Sequence, residues 1–150
     1  MSKIQFHFLT EPFHFANRTK LKKFILDSLR TEGRAVEYIN FIFCTDSYLL
    51  SLNQGYLGHD TYTDIITFEL SPKGHPILSD IYISVERVRE NAKQFKTSFG
   101  RELHRVIFHG TLHLMGLKDK TNAQAAVMRE SEEKYLSAYF VPRETKGLKD

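Results

Sequence analysis

The chain has 150 residues, 41% of them hydrophobic and 26% charged, which is typical of a soluble globular protein and suits one domain over residues 1–150. Its single cysteine excludes an internal disulfide, no apolar run reaches the roughly 18 residues of a membrane span, and the first residues lack the pattern of a signal peptide. We therefore expect a cytoplasmic protein, and the net charge of +3 permits an anionic partner without requiring one.

Hydrophobic periodicity and capping residues predict strands and helices along the whole chain. Alternating apolar residues indicate strands, whereas apolar residues at helical spacing indicate amphipathic helices. In chain order, we predict a strand over 4–8, a helix from a cap at Asn17 to about Arg30, a strand over 36–45, a short helix capped by Asp46, a strand over 64–70, a strand over 81–85, a helix capped by Ser84, a helix from Arg101 to Met115 after Gly100, and a last helix from Thr121.

The connections between these elements are short and polar. A loop over 58–63 precedes the third strand, and SPKGHP at 71–76 is a turn. Thr121 and Gln124 have the spacing of a capping box, and the tail from about 142 is expected to fray. Because strands and helices do not alternate strictly, we predict an α+β fold in which a small mixed sheet is packed with helices.

The segment over 101–115 is apolar almost all round, which predicts a helix buried in the core. On such a helix His109 and His113, four residues apart, leave the same face one turn apart. Burying an unpaired polar group costs roughly 1–3 kcal/mol. A metal ion shared by the two imidazole rings would remove that cost.

The residues that follow can complete a metal site. Gly116 is placed to end the helix in a left-handed conformation, and the returning chain can bring Asp119 towards the two histidines. The pattern H-G-x-x-H-x-x-G-x-x-D matches the spacing of the metzincin zinc site, H-E-x-x-H-x-x-G-x-x-H. We predict one zinc ion per chain, held by His109, His113 and Asp119, with a fourth position open for water.

Each of these features also has a purely structural explanation. The two histidines could stack or bond to the backbone, Gly116 could be only a helix cap, and Asp119 could be a loop residue or a cap. Gly110 stands where a zinc peptidase has its glutamate base, and a glycine cannot accept a proton. A peptidase is therefore disfavoured, and a phosphodiester is a better substrate because a cation can neutralise its charge.

Three blocks of the sequence resemble a known family. HGTLHLMGLKD at 109–119 is similar to the signature H-G-x-L-H-L-x-G-Y-D-H of the YbeY family of bacterial metallo-endoribonucleases. LNQGYLGHDTYTDIITFEL at 52–70 resembles the family block of Leu-Asn, then Tyr-Arg, then Thr-Asp-Val-Leu-Ser-Phe, and SDIYIS at 79–84 resembles its Gly-Asp-Ile strand. The order and spacing match over about 49–120.

The resemblance implies a zinc-dependent, single-strand-specific endoribonuclease acting in 16S rRNA 3′-end maturation and ribosome quality control. The implied partners are single-stranded rRNA and the ribosome or its small-subunit proteins, with no membrane and no DNA. A zinc-bound water would act at the phosphodiester, and no side chain is identified as the catalytic base.

Two positions depart from the family pattern. Asp119 stands in place of the third metal histidine, and Leu57 stands in place of an arginine suited to contact a phosphate. Leu57 and the missing base at Gly110 leave open a non-catalytic ribosome-assembly factor whose metal is mainly structural.

Several further polar residues have two interpretations. Arg105, four residues before His109, is a candidate phosphate contact, but an ion pair with Glu102 is an equal alternative. Asp64 could orient a ligand histidine or cap a strand edge, and we favour the structural role; Asp80 has the same ambiguity.

The remaining candidates are expected to be peripheral. Lys118 and Lys120 could attract RNA at the rim of the site or could simply be solvated. The other histidines that we considered are interpreted as solvent-exposed or second-layer residues: His59, His75 and His104. Cys44 is expected in the core.

Overall fold

The computed structural model describes residues 2–58 and 63–141. The elements, in chain order, are β1 (Ile4–Phe8), α1 (Arg18–Thr31), β2 (Val36–Cys44), α2 (Asp46–Leu57), β3 (Ile65–Glu69), β4 (Ile77–Ser84), α3 (Val85–Gln94), α4 (Phe99–Leu114) and α5 (Asn122–Tyr139). The predicted α+β class is confirmed. No helix within these described ranges has both the length and the hydropathy to cross a membrane.

The strands form one mixed sheet in the order β1-β2-β4-β3. β1, β2 and β4 run parallel, whereas β3 pairs antiparallel with β4 at the edge. Side chains alternate between the two faces of each strand. On one face Phe41, Ile81 and Ile83 join the main core with α1, α4 and α5, and on the other Ile66 packs with Leu49 of α2.

The helix that carries both histidines lies in the core, as predicted. Ten of the sixteen residues of α4 are buried, and Leu103, Ile107 and Phe108 are almost fully enclosed. α4 packs between the sheet and α5. Because α4 packs against β3, β4 and α5, its backbone holds the side chains of its partly exposed face in place.

Two of the predicted helix caps are confirmed and two are wrong in detail. The Ser84 side chain accepts a hydrogen bond from the backbone of Arg87, and Thr121 and Gln124 form a complete capping box. Asn17 precedes α1 in a left-handed conformation with φ of 58° and makes no side-chain cap. Thr45, not Asp46, caps α2, and Asp46 is the first residue of this helix. The Thr45 hydroxyl precedes the helix and accepts a hydrogen bond from the free N–H of Tyr48 in its first turn.

Two predicted boundaries are corrected. β4 begins at Ile77, not at 81, because Ser79 donates a hydrogen bond to the Phe68 carbonyl across the sheet and Asp80 accepts one from Asn40. α4 begins at Phe99 after a Ser98 cap, so Gly100 lies within the first turn and does not precede it. The tail from 142 and His59 lie outside the described residues.

Candidate metal centre

The i, i+4 spacing on α4 brings the two histidines of the signature together. The ring centroids of His109 and His113 lie 4.6 Å apart, with the ring planes at 84°. Their side chains are 15% and 26% exposed. Both rings are therefore anchored in the core by the helix and reach the surface at one point.

The turn after α4 has the geometry predicted for Gly116. Gly116 has φ of +104°, its N–H bonds to the carbonyl of His113 at 2.9 Å, and the N–H of Leu117 bonds to the carbonyl of Leu112 at 3.1 Å. This pair of bonds is a Schellman motif, whose left-handed residue is normally glycine. The motif reverses the chain immediately after His113, and the next residues return towards the histidine face.

The returning chain places Asp119 against both rings. Its Oδ2 atom lies 3.3 Å from Nε2 of His109 and 3.7 Å from Nε2 of His113. One ligand atom from each of the three residues lies within 4.8 Å of the others. The structure thus brings together the three residues that the sequence selects, and their binding of a metal stays a prediction.

Hydrogen bonds at the far side of each ring define which nitrogen faces the cluster. Nδ1 of His109 lies 2.5 Å from Oε2 of Glu132, and Nδ1 of His113 lies 2.8 Å from the carbonyl oxygen of Leu117. An ionised carboxylate and a carbonyl can only accept, so each Nδ1 carries the hydrogen. In the neutral rings both Nε2 lone pairs then point towards the Asp119 carboxylate. This arrangement of electron-pair donors suits a cation placed between them.

The donor set fits zinc in kind, and its two separations from Asp119 lie near the spacing of zinc ligands. Zinc binds histidine nitrogen and carboxylate oxygen at about 2.0–2.2 Å, so tetrahedral ligand atoms lie roughly 3.3–3.5 Å apart. The two separations from Asp119 are close to this spacing, at 3.3 and 3.7 Å. Metal-binding histidines also usually donate their second nitrogen to a carboxylate or a carbonyl, as His109 and His113 do here.

Glu132 is the residue of this site that the sequence analysis missed. Its carboxylate is only 3% exposed, and it accepts hydrogen bonds from both His109 and Arg105. Burial alone would raise the pKa of the Glu132 carboxyl, but the hydrogen bond from His109 and the charge of Arg105 outweigh burial, so the pKa lies below its ordinary value. A signal was present, since Glu132 stands four residues from both Met128 and Leu136 on the buried stripe of α5.

Arg105 forms the ion pair that was the alternative to a phosphate contact. Its Nε and Nη2 donate to Glu102 at 2.6–3.0 Å, Nη1 donates to Glu132 at 2.9 Å, and Nη2 lies 3.6 Å from Asp64. The Arg105 side chain is 11% exposed. Its donors are thus directed at carboxylates behind the histidines, and a phosphate contact by Arg105 stays a prediction that this geometry does not support.

The position of Gly110 explains why the base of a peptidase is missing. A Cβ atom at Gly110 would lie 3.0 Å from Cδ1 of Ile65 and 3.3 Å from two carbons of Ile81. Position 110 therefore faces the sheet, and a longer side chain there would have to displace the Ile65 and Ile81 side chains. Glycine thus fits the close packing of α4 on the sheet, and the histidine cluster has no glutamate beside it at this position.

His109, His113 and Asp119 line an open cleft of about 620 Å³ between α2, β3 and the turn after α4. Leu57, at the end of α2, lies in the cleft wall with 44% of its surface exposed. The other lining residues are Asn53, Thr63, Asp64, Ile65, Ile66, Thr67, Glu69 and Lys120. The position at which the family pattern has arginine therefore faces the same cleft as the histidines.

Of the remaining predicted residues, Asp64 and Lys120 line the same cleft as the histidines, whereas His75, His104 and Cys44 do not. His104 is wrongly assigned to solvent or a second layer, because it is 8% exposed, donates from Nδ1 to the Gly100 carbonyl at 2.6 Å and stacks on Tyr139. His75 is exposed, and Cys44 is fully buried, both as predicted. Asp64 accepts a hydrogen bond from Asn91 and does not contact His109 or His113 in the described residues, which agrees with its structural interpretation.

The fold and the site define a small α+β protein whose open cleft carries a donor set of two histidines and one carboxylate. A model of the endoribonuclease YbeY family matches residues 10–140. The chain belongs to that family.

Individual relatives agree with this assignment. The chain is 46% identical over 129 residues to the endoribonuclease YbeY of Flavobacterium psychrophilum, covering 86% of this chain and 91% of the relative. It is 43% identical over 142 residues to the endoribonuclease YbeY of Christiangramia forsetii, covering 94% and 99%. The solution structure of a Thermotoga maritima protein superposes with a TM-score of 0.60 at 28% identity, covering 91% of this chain and 89% of that one.

Proposed function

We propose that this protein is a zinc-dependent endoribonuclease, with one zinc per chain, that cuts single-stranded RNA. We further propose that it acts in the cytoplasm on the 3′ end of 16S rRNA during maturation and ribosome quality control. Its partners would then be rRNA and the ribosome or its small-subunit proteins. The curated relatives carry the name endoribonuclease YbeY, which supports RNA as the substrate class.

The observation that carries this proposal is the convergence of three electron-pair donors in an open cleft. Nε2 of His109, Nε2 of His113 and Oδ2 of Asp119 face one another, and the hydrogen bonds at both Nδ1 atoms hold the rings in that orientation. A site built only for stability would gain nothing from directing unpaired acceptors at each other. The three side chains also reach the surface of the cleft, with His109 15%, His113 26% and Asp119 40% exposed.

Residues of this chain would bind the metal ion and contact the RNA strand. His109, His113 and Asp119 would hold the zinc, which when bound supplies a Lewis acid that neutralises charge on the phosphate oxygens. Position 110 supplies no proton acceptor, because it packs on the sheet. RNA suits such a site, since its 2′-hydroxyl is a nucleophile that the substrate brings with it. Lys120, in the cleft wall, can contact a neighbouring phosphate.

A second function is favoured by one specific observation. Leu57 occupies the cleft wall where the family pattern has arginine, so the cleft lacks the cation that a phosphate would use there. A protein with this cleft could bind RNA or the ribosome without cutting, as a ribosome-assembly factor with a structural metal. A zinc peptidase has no such support, because position 110 holds a glycine that packs on the sheet and supplies no base.

A cleavage assay separates these functions. Purified protein is incubated with a labelled single-stranded RNA, the same RNA in duplex form, and casein, each with chelator, without chelator, and with chelator followed by excess zinc. We expect single-stranded RNA to be cut, the cutting to stop with chelator and to return with zinc, and casein to stay intact. If the RNA is bound but is cut under none of these conditions, the assembly factor is favoured.

A further inference from the structure

We infer that Glu132 is a positioning residue for the metal site, fixing His109 with its Nε2 lone pair directed at the ion. The inference rests on the proposed function for the identity of the ion, but its geometry is independent of that proposal. The contact between Oε2 of Glu132 and Nδ1 of His109, 2.5 Å long, joins α5 to α4. Glu132 itself does not contact Asp119 or His113 in the described residues.

The Glu132 carboxylate is held in one orientation by its second oxygen. Oε1 accepts a hydrogen bond from Nη1 of Arg105 at 2.9 Å, and the side chains of Glu132 and Arg105 are 3% and 11% exposed. Arg105 is held in turn by Glu102, which is 2% exposed and accepts from Nε and Nη2. With one oxygen committed to arginine, the other is directed at His109.

This arrangement fixes two properties of the His109 ring. The hydrogen bond sets the tautomer, with the hydrogen on Nδ1, and it sets the rotation of the ring about its side chain. A carboxylate partner also makes Nε2 a stronger electron donor to a metal than a carbonyl partner does. His113 has only the Leu117 carbonyl at 2.8 Å, so the two histidine ligands are supported unequally and His109 has the anionic partner.

The wild-type protein alone can test the tautomer without any metal. Two-bond ¹H–¹⁵N spectra of the metal-free, ¹⁵N-labelled protein at about pH 8 distinguish Nδ1–H from Nε2–H rings. We expect His109 to be the Nδ1–H tautomer, with its hydrogen resonating far downfield because the bond to a carboxylate is short and strong. A His109 ring that is the Nε2–H tautomer, or that exchanges between the two forms, would overturn the inference whether or not the protein cuts RNA.

Metal affinity tests the consequence. Zinc affinity is measured by competition with a chromophoric chelator for wild type, Glu132→Ala, Glu132→Gln and Glu130→Ala; cobalt absorption spectra report the ligand geometry. We expect Glu132→Ala to weaken zinc binding by about 10–100-fold, as loss of an outer hydrogen-bond partner does. Glu132→Gln should recover only part of that loss, because its one amide oxygen can accept from Nδ1 of His109 but its NH₂ group then faces Nη1 of Arg105. Glu130→Ala, exposed on the same helix, should match wild type.

The outcomes separate this inference from the proposed function. If wild type binds zinc and Glu132→Ala binds it equally tightly with an unchanged cobalt spectrum, positioning by Glu132 is wrong and the endoribonuclease proposal stands. If wild type binds no zinc or cobalt, the proposed metal fails and the consequence drawn here fails with it. If Glu132→Ala does not fold because Arg105 loses one of its carboxylate partners, the decision passes to Glu132→Gln. If Glu132→Gln then binds zinc as tightly as wild type, and the His109 ring is not the Nδ1–H tautomer, the inference is overturned.

Discussion

Gly110 of α4 and Ile81 of β4 approach so closely that a Cβ on the glycine would lie 3.3 Å from two carbons of the isoleucine. Ile81 is completely buried, so its side chain has little freedom to move away. The close approach sets the distance between α4 and the sheet, and therefore the depth at which His109 and His113 stand. The same close packing places glycine where a peptidase has glutamate and holds the helix that carries both histidines against the sheet.

Replacing Gly110 by alanine is expected to destabilise the fold. Helix propensity would favour alanine by about 0.8–1.0 kcal/mol, but inserting a carbon into a filled core costs typically 1–3 kcal/mol. Gly55→Ala is the matched control, because Gly55 lies in α2 with open space around its Cβ position and should stabilise. Urea unfolding of both variants measures the difference, and a Gly110→Ala protein as stable as Gly55→Ala would contradict this account of the packing.

The third ligand can be tested by changing its chemistry. Asp119→His replaces one donor with another and should still bind zinc, whereas Asp119→Ala removes a donor and should lose more affinity than the roughly 10–100-fold typical of an outer-shell partner. Asp27→Ala, which removes an exposed carboxylate on α1, is the control. Chelator competition gives the affinities, and an Asp119→Ala protein with wild-type affinity would show that Asp119 is not a ligand.

The cleft position of Leu57 predicts a gain from restoring the arginine of the family pattern. Leu57→Arg should tighten binding of single-stranded RNA and make it more sensitive to salt, because each added phosphate contact on a single strand adds about 0.7 to the slope of log affinity against log salt. Leu70→Arg is the control, because it adds the same charge outside the cleft. Leu70 is 53% exposed and Leu57 is 44% exposed. Fluorescence anisotropy over a salt series compares them; equal slopes would place the RNA elsewhere.

His104 predicts a loss of stability in mild acid. Burial lowers the pKa of His104 in the folded protein, outweighing the hydrogen bond to Gly100, which raises it. A pKa below that of the unfolded chain means that the unfolded state binds the proton more readily, so this stability is complete above about pH 6.5 and falls as the pH drops below it.

Thermal unfolding between pH 8 and pH 5 measures this effect. The unfolding temperature of wild type should fall more steeply on acidification than that of His104→Phe, which keeps an aromatic ring against Tyr139. His75→Gln removes an exposed histidine and should follow wild type. If His104→Phe and wild type fall in parallel, burial of this ring contributes nothing to the acid sensitivity.

Local signals were sufficient for much of this fold. The Ser84 cap and the capping box of Thr121 and Gln124 involve residues three apart, and the structure contains both. The start of β4 was missed because Ser79 and Asp80 interrupt the apolar run, and only their partners on neighbouring strands make those polar residues compatible with a sheet. Sequence patterns within one element cannot show partners on another strand.

The same limit applies to the site. His109, His113 and Asp119 lie within eleven residues of chain, and helix geometry plus one glycine turn predicts their approach. Glu132 and Arg105 are 27 residues apart in the chain, so their pairing depends on how α5 packs on α4. That packing is set by the whole core, which is why the support behind His109 could not be read from the motif.

The central claim is that the histidine cluster carries an RNA-cutting activity. The most direct measurement is the rate at which wild type, His113→Ala and His7→Ala, purified identically, cut one labelled single-stranded RNA; His7 is an exposed histidine on β1. We predict that His7→Ala cuts at the wild-type rate and that His113→Ala, with its fold intact by circular dichroism, does not cut. If His113→Ala cuts as fast as wild type, the activity does not come from this site and the claim is wrong.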